Sequence, residues 1–448
     1  MGAADRADAE IAVAPRHFKG RGCTNMAGAG QVYDIAIVGA GSAGIAAAKT
    51  ARELGLDFVL LEASHRIGGR GYTEEFAPGV AFDLGCHWMH SASLNPYVAI
   101  ADRFGFTYRK GTFPRGLWLD GHWAAPKDYA DYAAAWERRD AAIGAAAKAG
   151  GGLSIADATE RDGPWTPLLD YWTSIATSAD PDQVAVEDSV NYNDTDENWP
   201  LKQGFGTLIA RFGADLPVTL NAAVERIDWS GPEIALHTAK GTVKAKRAVV
   251  TVSTGILGAG DIRFDPALPG WKQAAIDALP LGTHNRIGLM FERDLFGPDC
   301  PKGSAFVFPD GDPVGMSIRA FDENYAVVYT GGRFAVWLER AGQAAAVDFA
   351  KEKLAKIFGS AMPKQVARTL VTAWHGDPWI KGSYSAALPG QAHQRGVLAR
   401  PVDDRLFFAG EATSTDFYAT AHGAYITGVN TARAVAKSLG RKVEAAAQ

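Results

Sequence analysis

The stretch Tyr33-Asp34-Ile35-Ala36-Ile37-Val38-Gly39-Ala40-Gly41-Ser42-Ala43-Gly44 decides how this chain begins to fold. Its first half is a short apolar run rich in β-branched residues, as in a strand buried on both faces. Its second half has the spacing G-x-G-x-x-G and passes into an Ala-rich helical stretch that runs to about Leu54. A second strand, Asp57 to Leu61, ends in Glu62. Strand, glycine turn, helix, strand and acid within about 30 residues is the context that makes this spacing a dinucleotide fingerprint. Gly39 makes the turn, Gly41 lets backbone approach a pyrophosphate, and Gly44 lets helix pack on strand. The helix N-terminus presents roughly half a positive charge to the phosphates. Glu62 is placed to accept from ribose hydroxyls and would repel a 2′-phosphate, so NADP is disfavoured.

Around this unit lie 448 residues, 47% hydrophobic and 21% charged, enough for two or three domain-sized cores. The 50 glycines, about 11% against an average of roughly 7%, imply many close backbone approaches. A formal net charge of −5 leaves no basic footprint, so nucleic acid is not expected as a partner. Cys23, Cys86 and Cys300 form no CxxC or Cys/His cluster, so neither a metal nor a disulfide framework is expected. No run of about 18 apolar residues suggests a membrane span, and the first 30 residues lack the apolar core of a signal peptide. A cytoplasmic enzyme is expected. Residues 1–30 read as a disordered tail, and Met26 offers a second start of translation.

Beyond Glu62, residues 128–149 and 164–178 read as helices, and Glu187 to Glu197 as a polar, acidic loop. Val218 to Arg226, Glu233 to Thr238 and Thr242 to Val252 read as strands of a small antiparallel meander. Further strands are expected near 286–291, 305–308, 314–318, 326–337 and 366–373, interrupted by a helix from Gln343 to Phe358. Arg405 to Glu411 is again strand then glycine, followed by a helix from Thr420 to Leu439. The chain therefore leaves its first sheet and returns to it.

Four further motifs stand in order: Arg66-Ile67-Gly68-Gly69-Arg70; Asp83-Leu84-Gly85-Cys86-His87-Trp88-Met89-His90; Trp374 to Ser385; and Phe408-Ala409-Gly410-Glu411 with Ala419-Thr420-Ala421-His422-Gly423-Ala424. Together with the glycine turn they resemble the flavin-containing amine oxidases, from about Asp34 to Leu439. The resemblance implies a mixed α/β and α+β fold, in which a Rossmann-like FAD-binding domain is interleaved with a substrate domain of mixed sheet plus helices. The expected division is 31–90, 201–280 and 385–440 for FAD, and 91–200 and 281–384 for substrate. It implies oxidation of a small-molecule amine by hydride transfer to flavin N5, with an imine hydrolysed to aldehyde and amine and O2 reduced to H2O2. A monomer or homodimer is expected.

The residues agree with that chemistry. Arg66 and Arg70 bracket Gly69, and planar guanidinium forks suit pyrophosphate oxygens; ion pairing to carboxylates is the alternative. By resemblance, Val224 meets adenine through its backbone, and Glu411, after Gly410, binds the ribityl or phosphate region. Thr420 and Ala421 open a helix whose free N–H groups suit negative charge on a reduced ring. Trp374 lies against the ring by the same resemblance, and Tyr384 forms one wall of the amine's aromatic box. His422 reads more simply as a core or capping histidine. An alkylamine is neutral at pH 7 in roughly one part in 2,500, a deficit of about 4.6 kcal/mol that burial against aromatic walls reduces.

Three departures stand out. Ser383 occupies the place of the cysteine that bonds FAD in monoamine oxidases, so FAD is expected to be non-covalent. Arg286 replaces the family's usual lysine, which keeps the charge but not the compact ammonium and puts the electron acceptor in question. Thr420 stands where monoamine oxidases have a second tyrosine, which moves the resemblance toward polyamine oxidases and demethylases. His90, more than His87, matches a substrate-side histidine, with a supporting hydrogen bond as the alternative. Glu187, Asp188, Asp194, Asp196 and Glu197 either draw in a polycation or form a solvated loop, the simpler reading. An L-amino acid oxidase, an FAD-dependent desaturase or dehydrogenase using another acceptor, and a non-catalytic binding module are the rivals.

Overall fold

The computed structural model describes residues 31–111, 115–298, 300–308 and 311–443. The expectations of a disordered tail over 1–30 and of a start at Met26 lie outside the described residues.

Two sheets organise the chain. The first has eight strands in the order Arg263–Asp265, Val224–Asp228, Ile234–Thr238, Gly241–Val250, Val32–Val38, Phe58–Leu61 and Val218–Thr219, with Leu406–Phe408 also pairing Gly241–Val250. Val32–Val38 runs parallel to Phe58–Leu61 and to Gly241–Val250, which in turn runs parallel to Leu406–Phe408. The register brings Val38, Leu61, Val250 and Phe408 level. Gly39, Glu62, Thr251 and Ala409 therefore leave the sheet together at its carboxyl edge, where open parallel sheets bind ligands. Every strand of this sheet falls within 31–90, 201–280 or 385–440.

Helix Ser42–Glu53 packs its small residues against the last helix, Ala421–Ser438. Ile35, Ile37, Ala47, Ala51, Leu208, Ala432 and Val435 are fully buried between these layers. Burial of this kind contributes about 25 cal/mol per Å² of apolar surface, so the layer, and not helix propensity, secures both helices.

The second sheet has seven strands in the order Val366–Val371, His284–Phe291, Tyr325–Gly331, Pro313–Ile318, Gly303–Val307, Arg115–Leu119 and His122–Trp123. It is antiparallel except where Arg115–Leu119 meets Gly303–Val307 in parallel. Helices Pro126–Ala149 and Thr166–Thr177 lie close to the expected ranges. The first starts at a proline, whose missing N–H costs nothing at that position.

Three expectations are corrected. Val218 to Arg226 is not one strand: Val218–Thr219 pairs with Leu60–Leu61, and Val224–Asp228 begins again beside Ile234–Thr238. Asn221, with φ +52°, turns the chain between them, and Ala222 N bonds the Glu62 carbonyl. The strand expected over 326–337 ends at Gly331. Gly332, with φ +63°, starts helix Gly332–Ala341, which buries Ala335 and Leu338 three residues apart. The acidic segment is not a wholly solvated loop: Val186–Val190 is a helical turn and Asp188 is buried.

Candidate active site

At the carboxyl edge of the first sheet, the glycine turn forms a floor without side chains. Gly39 has φ +98°, and a Cβ on Gly44 would come 1.8 Å from the Gly39 carbonyl oxygen, so that position requires glycine. A Cβ on Gly41 would meet nothing nearer than Gly69 Cα at 4.0 Å; it would stand in open space above the floor. Glu62 is 7% exposed and accepts from Ala40 N at 2.6 Å and Ser64 N at 2.8 Å. Burial raises its carboxyl above the ordinary carboxylate range. Val224 is buried at the same rim. Arg66 donates to Gly69 O at 2.9 Å, and its guanidinium lies 3.8 Å from the Tyr72 ring centre.

Arg70 behaves differently. It donates to Glu411 Oε1 at 2.9 Å and to Ser383 O at 2.6 Å. Glu411 is 4% exposed and accepts four hydrogen bonds: from Arg70, from Ser385 N and Oγ, and from Ala419 N. Two oxygens with four partners have little capacity left. Burial alone would raise this carboxyl, but Arg70 and Arg395 hold it below its ordinary value. Arg70 and Glu411 are thus paired with each other, the alternative raised for the arginine. Gly410 has φ +139° and adjoins the cavity.

Toward the second sheet, Trp374 is 7% exposed and donates through Nε1 to Leu84 O at 2.9 Å. Arg286, 6% exposed, donates to Asp83 O at 2.7 Å; among the described residues no carboxylate lies within ion-pair distance of it. Tyr384 donates its hydroxyl to Ile175 O and lies 3.0 Å from His284 Nδ1. Burial, then the Arg286 charge, lowers His284 to about 4, so its ring is neutral. Burial likewise lowers His87, which bonds Asp83 Oδ2 at 2.8 Å, and His90, which bonds Asn198 Oδ1. Thr420 caps the last helix: its hydroxyl accepts from Gly423 N and donates to Phe417 O. Ala421 follows as the first helical residue, and its carbonyl accepts from Ser42 Oγ. His422 is buried, lies outside the cavity wall and is lowered to about 3 by burial.

Every site residue expected from the sequence except Gly44 lines one continuous cavity of about 1880 Å³, as does His284. That exceeds the roughly 300–1,000 Å³ of a site for one small ligand. Tyr132, Trp136, Trp172 and Tyr329 also line it, as do Glu137 and Asp140. Asp188, Asp194 and Asp196 of the acidic segment also reach it; Glu187 and Glu197 do not.

The flavin containing amine oxidoreductase family model matches residues 153–436, and a model of the NAD(P)-binding Rossmann-like domain matches 37–104. The chain belongs to the flavin containing amine oxidoreductases. Among similar proteins, polyamine oxidase 2 of Arabidopsis thaliana is 28% identical over 431 residues, covering 88% of this chain and 86% of that protein. Lysine-specific histone demethylase 2 of Homo sapiens is 26% identical over 454 residues, covering 90% of this chain and 53% of that protein. Among solved structures, cyclohexylamine oxidase from Brevibacterium oxydans superposes with a TM-score of 0.77 at 20% identity, over 92% of this chain and 100% of that one. A redesigned putrescine oxidase gives 0.73 at 17% identity, over 91% and 99%. At these identities the structural likeness is one of fold.

A flavin cofactor fits the residues present in this amine oxidoreductase. The open space over Gly41, the acid Glu62 at the sheet edge and the cavity's passage from there to Trp374 suit an extended dinucleotide. Among the described residues no His, Cys, Asp and Glu cluster could hold a metal, and no helix is long and apolar enough to cross a membrane.

Sequence reasoning missed His284, although a signal existed: it lies two residues before Arg286 on one strand, so the two share a face. It also missed Ser385 and Arg395. Arg395 meets Asp188, 207 residues away, and no local pattern marks such a pair.

Proposed function

We propose that this enzyme oxidises the C–N bond of a small amine with a dissociable FAD. The observation that carries the reading is the single cavity joining the glycine floor and Glu62 to the chamber of Trp374, Tyr384 and Arg286. Bound FAD would supply a hydride acceptor for the substrate carbon beside nitrogen and a route for the electron pair to dioxygen, giving hydrogen peroxide, with the imine left to be hydrolysed by water to aldehyde and amine.

The chain's own residues prepare the amine. Trp374, Tyr384 and Tyr329 exclude water from the chamber, and desolvation disfavours an ammonium. Arg286 adds an unneutralised positive charge on the same wall, which opposes a second cation and favours the neutral amine able to react. His284, held neutral beside Tyr384 by burial and the Arg286 charge, adds no second cation to the wall. The peptide N–H groups at the start of helix Ala421–Ser438 present a positive dipole to the cavity, suited to negative charge on the cofactor.

One feature favours a second reading. A buried guanidinium without a carboxylate partner is also a receptor for a substrate carboxylate, as in oxidation of an L-amino acid. An anaerobic absorbance screen with mono-, di- and polyamines and amino acids, followed by air, tests both. Bleaching of the flavin band by amines supports the first reading, bleaching confined to amino acids the second, and no bleaching by either class sinks both.

A further inference from the structure

Arg395 is 1% exposed, the largest fully buried side chain among the described residues. It grips Asp188 with two parallel bonds, Nε to Oδ1 at 3.0 Å and Nη2 to Oδ2 at 2.6 Å. Its guanidinium lies 3.9 Å from the ring centre of Tyr418, whose hydroxyl donates to Asp188 O. Asp188 Oδ2 also accepts from Ala387 N at 2.7 Å. The remaining guanidinium nitrogen, Nη1, donates to Ser385 Oγ at 2.9 Å.

That bond sets a direction. Arginine has no acceptor, so the Ser385 oxygen must receive from it, and the single hydroxyl proton is left to point at Glu411 Oε2, 2.7 Å away. Glu411 Oε2 then accepts from Ala419 N at 2.9 Å. Ala419 has φ +61°, a left-handed backbone that is unfavourable for a residue with a side chain. Directly after it come Thr420 and Ala421, the start of the last helix and part of the cavity wall. A strained turn beside a site, held by a buried carboxylate with an aimed hydroxyl behind it, is more than packing requires.

We propose that Ser385 and Arg395 are positioning residues for the cofactor wall: they aim Glu411 at Ala419 and so fix where the first N–H groups of the last helix face the cavity. The proposal rests on the reading that FAD occupies this cavity. Arg395 does not line the cavity; Ser385 does, with its hydroxyl proton turned to Glu411. Their effect passes through Glu411 and the turn.

The test is FAD affinity of the full-length, deflavinated protein, titrated by flavin fluorescence, together with its thermal midpoint. Ser385→Ala is expected to weaken FAD about tenfold, the scale of one hydrogen bond to a charged group, while the midpoint of the FAD-free protein moves by no more than about 4 °C. Ala419→Gly removes the cost of the left-handed turn, so the double variant Ser385→Ala/Ala419→Gly is expected to regain most of the affinity relative to Ala419→Gly alone. Arg395→Lys, which keeps the charge opposite Asp188 and loses the reach to Ser385, is expected to weaken FAD and to be rescued in the same way. Unchanged affinity in Ser385→Ala, or a loss that Ala419→Gly does not relieve, overturns the proposal. Wild-type protein that takes up no FAD overturns the cofactor reading and this proposal together, whereas normal uptake by both wild type and Ser385→Ala overturns this proposal alone.

Discussion

Arg286 of the second sheet donates to the backbone carbonyl of Asp83 at 2.7 Å. The next carbonyl, that of Leu84, receives Trp374 Nε1 at 2.9 Å. One short segment thus holds both the buried cation and the large ring, and a Cβ on Gly85 would come 3.3 Å from Trp374. The two are fixed relative to each other by backbone, which is stiffer than any contact between their long side chains.

Replacing Arg286 by lysine tests what that geometry does. Lysine keeps the charge, but its compact ammonium leaves room for water where the planar fork now stands. Flavin reduced anaerobically is expected to reoxidise several-fold faster in air in Arg286→Lys than in wild type, measured by stopped-flow absorbance. Equal or slower recovery would remove the arginine as the brake.

Stability is expected to fall on mild acidification. His284 is lowered to about 4 and His422 to about 3, against an ordinary value near 6.5, in each case first by burial. Between those values the unfolded chain binds protons that the folded one does not, so stability is full above about pH 6.5 and declines toward pH 4. For His284 the loss amounts to about 3 kcal/mol. Urea midpoints against pH check the sign, and His284→Gln should flatten the slope in that window.

The two central glycines should fail differently. A Cβ on Gly44 would collide with backbone at 1.8 Å, so Gly44→Ala should damage the first strand–helix unit and lower the thermal midpoint. Gly41→Ala has room in the protein and should leave the FAD-free midpoint almost unchanged while weakening FAD by about tenfold or more, since the methyl stands in the cofactor's space. Titration beside thermal melts of both variants separates the two.

What could be read from the chain alone follows the range of the interactions. The glycine turn, Glu62 and the helix behind them are legible because strand, turn and helix signals are local and consecutive. Val218–Thr219 and Val224–Asp228 read as one strand because Val218, Leu220, Ala222 and Val224 continue an every-second-residue apolar pattern straight across the turn at Asn221. Arg115–Leu119 passed unread because it is short and pairs in parallel with Gly303–Val307, far along the chain. The same limit hid Asp188. Read locally it is one acid in a polar stretch, and only the return of residues 385–395 supplies its arginine.

Ser383 bears on how the cofactor is held. Its Oγ accepts from His284 N at 2.8 Å and donates to His284 O at 2.9 Å, so the hydroxyl is occupied by backbone on both sides. A serine hydroxyl without a base is also a far weaker nucleophile than a thiolate. Cys86 places a thiol at the cavity wall, but burial pushes it well above the ordinary range and keeps it protonated. Neither side chain is equipped to bond the flavin, so acid precipitation is expected to release the yellow colour to the supernatant. Colour that stays with the pellet after washing in denaturant would mean a covalent link, and peptide mapping of the flavin-bearing fragment would then decide between positions 86 and 383.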